Sequence, residues 1–139
     1  MGSEHDYFRA LLGKNNCKIA LVGATNDKSK YGNIILHHLL GKGYRVYPVN
    51  PRAKTIDGIP AYANLSSLPE KVDIVNFVLP PKLGKLTLEE GLKLNLDNFW
   101  FQPGAESPEI IEILEKSGKH YLADGSCIMV MSAQRRASA

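Results

Sequence analysis

Residues 18–40 constrain this chain more than any other stretch. The apolar run Lys-Ile-Ala-Leu-Val stops at Gly23, passes through a polar loop to Gly32, and enters Asn-Ile-Ile-Leu-His-His-Leu-Leu. A buried strand that ends on glycine and feeds a helix points free backbone N–H groups and the positive helix end at one spot, which suits a phosphate. The first expectation is therefore an anion site.

The remainder repeats the strand-then-helix alternation. Gly41 and Gly43 close the first helix, and residues 44–49 read as a second strand ending at Asn50-Pro51-Arg52. Asp57-Gly58 and Pro60 mark turns, and Ser66, Ser67 and Leu68 begin a brief helical turn. Residues 72–78 form a third strand halted by Pro80-Pro81, and apolar residues at 83, 86, 88, 92 and 94 set a helix over 82–94. Asn98-Phe99-Trp100-Phe101 is a fourth strand. Ser107, Pro108 and Glu109 supply the cap, the first-turn proline and the acidic start of a helix that ends at Gly118. Residues 120–123 are a fifth strand, 127–131 an apolar C-terminal segment, and Tyr7, Phe8, Leu11 and Leu12 predict a short amphipathic helix over 3–12.

Such alternation implies right-handed crossovers and a parallel sheet. The expected fold class is α/β, a Rossmann-like three-layer α/β/α sandwich with a five-stranded, mostly parallel sheet. Residues 1–16 are read as an N-terminal helix or tag-like extension, 17–131 as the domain, and 132–139 as a polar tail. With strand order 3-2-1-4-5, the loops after Val22 and Phe101 flank one crevice, where residues 23–32, 50–54, 79–82 and 102–106 converge.

Bulk properties narrow the ligand. A net charge of +3 on scattered lysines and arginines lacks the basic stripe of a nucleic-acid binder. The apolar runs are strand-length, far short of the roughly 20 residues of a spanning helix, and no leader pattern opens the chain. No nucleic acid and no membrane are expected as partners, and a cytoplasmic location is. Cys17 and Cys127 share no redox or zinc spacing, and His37 and His38 have no metal-ligand companions, so no metal is expected.

The loop also lacks Gly-x-Gly-x-x-Gly, and the second strand ends in Asn50 with Arg52 and Lys54 where a ribose-binding carboxylate would stand. Such cations suit a phosphorylated ribose, found in NADP and coenzyme A. The long loop bearing Lys28, Lys30 and Tyr31 leaves room for a bent pyrophosphate and favours coenzyme A.

Gly23-Ala24-Thr25, Tyr31-Gly32-Asn33, Val46-x-Pro48-Val49-Asn50-Pro51, Val72-Asp73-Ile74-Val75, Pro80-Pro81, Trp100-Phe101-Gln102-Pro103-Gly104-Ala105-Glu106 and Cys127-Ile128-Met129-Val130 occur in this order over residues 17–130. Together they resemble the stand-alone CoA-binding domain proteins, small relatives of the N-terminal, CoA-binding domain of the succinyl-CoA synthetase alpha subunit. The resemblance implies binding of coenzyme A or an acyl-CoA without chemistry of its own, since the synthetase's phosphorylated histidine belongs to a second domain. It also leaves open a homo-oligomer or a larger enzyme partner. By position, Gly23, Ala24 and Thr25 would lie beside the pyrophosphate, with residues 28–32 closing over it. Asn50, Pro51 and Arg52 would take the adenosine end and its phosphate. Leu79, Pro80 and Pro81 would wall the channel, and Gln102, Pro103 and Gly104 would line the pantetheine side.

Other polar residues read as structural. Asp73 and Asp124 lack acid–base companions by motif, Trp100 is core, and Cys127 is read as apolar filler, with a mixed disulfide to the pantetheine thiol as the alternative. Two other function classes stay open: a minimal NADP-dependent oxidoreductase, which lacks a Tyr-x-x-x-Lys pair, and an interaction scaffold with a vestigial nucleotide site.

Overall fold

A computed structural model describes residues 3–133. Met1 and Gly2 of the tag-like start, and the expected polar tail beyond Ala133, lie outside the described residues. The elements, in chain order, are α1 (Glu4–Leu12), β1 (Lys18–Val22), α2 (Tyr31–Gly41), β2 (Arg45–Val49), a hairpin of β3 (Thr55–Ile56) and β4 (Ile59–Pro60), a 3-10 turn (Leu65–Ser67), β5 (Ile74–Phe77), α3 (Pro81–Lys93), β6 (Asn98–Phe101), α4 (Pro108–Ser117), β7 (His120–Leu122) and α5 (Ile128–Met131). Local chemistry sets these boundaries. Ser3 and Ser107 accept from Asp6 N and Ile110 N as N-caps, Pro81 and Pro108 occupy the first helical turn, and Gly118 ends α4 at φ +74°.

The main sheet is wholly parallel in the order β2-β1-β5-β6-β7. The central strands β1, β5 and β6 bury both faces, as a sheet covered on two sides requires, whereas the edge strand β7 leaves His120 exposed. Ile19, Leu21, Ile74 and Trp100 pack under α1, α2 and α5, whereas Ala20, Val22, Val75, Phe77, Phe99 and Phe101 pack under α3 and α4.

The strand order corrects the expected 3-2-1-4-5. The third main strand, β5, lies beside β1, pairing Ile19 with Ile74 and Val22 with Phe77, so β1 and β6 are not neighbours. Handedness permits either order; Ile74-Val75-Asn76-Phe77 is buried on both faces, which suits a central position rather than the edge that the expected order gave it. A right-handed step from β1 to β2 places α2 on one face, and a step back past β1 must travel over the other. The β2–β5 connection does so: its Leu65 is buried in the cluster under α3 and α4. The winding therefore reverses between β1 and β5, and the central crevice is flanked by the loops after Val22 and Phe77.

Helix α1 fastens the far edge. Phe8 is buried edge-on to Trp100 at 5.3 Å between centroids, and Tyr7 stacks on His120 while its hydroxyl donates to Asn98 Oδ1. Glu4 accepts the outward-facing N–H of Tyr121, and His5 meets Asp124 at 2.8 Å. Asp73 accepts from Lys18 N and Lys14 Nζ, the loop bond expected of it. Among the described residues no helix is long and apolar enough to cross a membrane.

Two variants probe this fold. A Cβ at Gly32 would lie 2.1 Å from the carbonyl oxygen of Gly23, because the first turn of α2 rests directly on the end of β1. Gly32→Ala should cost about 1–3 kcal/mol in denaturant unfolding, and wild-type stability would refute the close approach. Glu70 accepts from Lys18, Tyr47 and Arg45 across β1 and β2. Chiefly through Lys18 and then Tyr47, these donors lower its pKa from 4.5 to about 2. A depressed carboxylate adds stability above its ordinary value and loses it as pH falls through the folded one. Glu70→Gln should therefore flatten the stability profile between pH 4.5 and about 2, read from urea midpoints of the two proteins.

Candidate functional site

The site begins where β1 stops. Gly23, at φ +102°, donates its N–H to Val49 O and turns the chain so that Ala24, Thr25 and the loop to Lys30 cross the carboxyl edge of the sheet. Polar side chains fix that loop. Asn50 donates to Ala24 O at 2.9 Å and accepts from the N–H groups of Arg52 and Ala53. The buried Asn33 donates to Thr25 O at 2.8 Å, and Asp27 takes both the N–H and the hydroxyl of Ser29. The first turn of α2 starts at Tyr31, and within it Asn33 N and Ile34 N already donate to Lys30 O, which leaves the amides of Tyr31 and Gly32 at the helix end.

Two cavities open here. The first, of about 690 Å³, is lined by Gly23, Ala24, Thr25, Lys30, Tyr31, Gly32, Asn50, Pro51, Leu79 and Pro80 from the expected set. The second, of about 590 Å³, is lined by Tyr31, Leu79, Pro80, Pro81, Gln102, Pro103 and Gly104 from that set, with Ile35, Ala105, Cys127 and Met129 added. Tyr31, Val78, Leu79 and Pro80 line both. The cavities therefore meet over the point where the winding reverses, the position at which open α/β sheets bind ligands.

Both walls are chiefly apolar, and their polar groups differ. The first takes in the backbone of residues 23–25, the carboxylate of Glu90 and the ammonium of Lys30, the single lysine or arginine lining either cavity among the described residues. The second has Tyr31 at its rim and, deeper in, Gln102, whose Oε1 accepts from Ile128 N at 2.9 Å and from Asn76, and whose Nε2 donates to Cys127 Sγ at 3.1 Å. Cys127 is only partly buried and faces this cavity, so the reading of it as plain filler does not hold.

Two expected residues stand apart. Arg52 is exposed and lines neither cavity, and Lys28 lies on the loop's outer side, paired with Asp57 at 3.2 Å. Conversely, Ala63, Asn64, Leu83, Leu86, Thr87 and Glu90 line the first cavity without having been singled out. The signal for the α3 residues lay in its glycines. Gly84, Leu88 and Gly91 form the buried stripe, and a Cβ at Gly91 would come within 2.9 Å of Phe99, so Leu83 and Leu86 are turned away from the sheet and left exposed.

Comparison with known proteins gives the family. The family model described as CoA binding domain matches residues 17–133. The alpha subunit of an ADP-forming acetate–CoA ligase from Pyrococcus furiosus is 30% identical over 87% of this chain, which spans 29% of that subunit. The protein YneT of Bacillus subtilis is 28% identical over 84% of this chain and 85% of its own. A solved structure from Pyrococcus furiosus, titled a conserved hypothetical protein, superposes with a TM-score of 0.79 at 50% identity, covering 82% of this chain and 97% of its own. With a family match that runs from just before β1 to the last described residue, on the parallel fold and crevice described above, the chain belongs to the CoA binding domain family.

Proposed function

We propose that the chain binds coenzyme A or an acyl-CoA across the two joined cavities and performs no chemistry of its own. The observation that carries this reading is the sharing of Tyr31, Val78, Leu79 and Pro80 by two cavities, of which the first takes in the strand end at residues 23–25, the start of α2 and the ammonium of Lys30, and the second no cationic side chain among the described residues. Coenzyme A has that division: a charged nucleotide diphosphate joined to a long, weakly polar pantetheine arm. The nucleotide lies in the first cavity, its pyrophosphate against residues 23–25 and the N-terminus of α2. The arm passes Pro80 and Pro81 and ends near Gln102 and Cys127. A dinucleotide such as NADP fits less well, because its second ribose and phosphate would meet a chiefly apolar wall in which Tyr31, Gln102 and Cys127 are the polar side chains among the described residues. Family membership supports the ligand class.

Melting curves with coenzyme A, acetyl-CoA, dephospho-CoA, NADP and NAD test the reading. Coenzyme A at 100 times its dissociation constant should add about 2.7 kcal/mol of apparent stability. A larger response to NADP would favour the oxidoreductase class, and none at all the scaffold. The cation assignment follows from the cavity walls. Lys30→Ala should weaken coenzyme A by about tenfold, the loss of one charge-assisted hydrogen bond, and Arg52→Ala should do so by less. The reverse order in titration calorimetry would return the ribose phosphate to Arg52.

A further inference from the structure

The β3–β4 hairpin lies outside both cavities, yet one of its side chains, Asp57, gathers three side-chain hydrogen bonds, as many as Asn50 or Gln102 makes inside them. Ile56-Asp57-Gly58-Ile59 forms a two-residue turn with φ +48° at Asp57 and +80° at Gly58, the backbone that Asp-Gly supports in a tight hairpin. With two residues in each strand, such a hairpin has no independent stability. It is held from outside. Ile56 is fully buried in the core beneath α2, and Asp57 Oδ2 accepts from His37 Nε2 at 2.6 Å, Asn33 Nδ2 at 2.9 Å and Lys28 Nζ at 3.2 Å. The main chain adds two bonds, since Asp57 N donates to Asn26 Oδ1 and Asn26 Nδ2 donates to Thr55 O.

These partners are the back of the anion loop. Asn26 and Lys28 belong to the loop itself, while Asn33 and His37 stand one turn apart on α2. Asn33 uses the same Nδ2 to hold Thr25 O, and Thr25 lines the first cavity. Asp57, Asn26, Lys28, Asn33 and His37 do not line it. The chain of contacts runs from hairpin to carboxylate to asparagine to cavity wall. His37, then Asn33, then Lys28 hold the Asp57 carboxyl far below the usual carboxylate range, so it is ionised and only accepts.

We propose that Asp57 is the positioning residue of the anion loop, and that the hairpin and the loop are stabilised together when the first cavity is filled. The inference rests on the reading of that cavity as a phosphate site. Its energetic content is reciprocal: an anion that stabilises the loop stabilises the hairpin by the same coupling. It also accounts for Lys28, whose ammonium holds the hairpin rather than facing the cavity.

Hydrogen exchange on the full chain, with coenzyme A and separately with inorganic pyrophosphate, tests it. In the wild type either ligand should slow exchange of the amides of Asp57 and Ala61, although neither residue lines the cavity. Asp57→Asn should speed exchange over residues 24–32 in the free protein and weaken coenzyme A by about tenfold, within the usual range of site-to-site coupling. His37→Ala should weaken it in the same direction, and His37→Gln, which keeps an N–H donor, should recover most of the affinity. A merely structural role would not make that recovery track affinity at unchanged melting temperature. Wild-type loop exchange and affinity in Asp57→Asn, or hairpin amides blind to both ligands, would overturn the proposal. If coenzyme A fails to bind the wild type while pyrophosphate still protects the hairpin, the coenzyme A reading falls and the positioning role stands.

Discussion

Everything at the carboxyl edge of this sheet depends on how closely helix α2 approaches the end of β1. The backbone at Gly32 lies so near the Gly23 carbonyl that no side chain fits between them. That contact sets the helix N-terminus against the strand end, so the amides of both converge on one cavity. The residues between them are forced outward as a loop and pinned from behind by Asn33, Asn50 and Asp27. Packing that looks purely architectural thus creates the electrostatics of the site.

The reversal of winding between β1 and β5 supplies the second condition. It brings residues 78–80 beside residues 23–25 and leaves an opening on each face of the sheet. Leu83 and Leu86 of α3 border the opening on one face, and Ile35 and Met129 border the other. Tyr31 stands at the rim of both, 67% exposed for a large aromatic side chain. A ligand long enough to cross from one face to the other is the natural occupant of such a saddle.

Much of this was legible in the sequence because the signals were local. Glycines, prolines and caps gave the helix and strand boundaries to within a few residues, and strand ends gave Gly23, Asn50, Leu79 and Gln102 as cavity-lining positions. Strand order was not legible, since a right-handed crossover looks the same in sequence whether it adds a strand outward or steps back past an earlier one. The β2–β5 connection, with a hairpin and a single 3-10 turn in place of a helix, was the available clue. Side-chain direction was equally hidden. Lys28 and Lys30 are two residues apart in one loop, yet the first turns to Asp57 and the second to the cavity. That choice depends on a hairpin whose position no local pattern encodes.

The edge strand β7 exposes a ladder that only β6 satisfies on its inner side. An open edge of this kind is a template on which a second polypeptide can add a strand. Here the carboxylate of Glu4 occupies the outward N–H of Tyr121, while Tyr7 lies flat over His120. The opening helix therefore serves as a guard against edge-to-edge association, which sets the solubility of the folded chain as much as its stability.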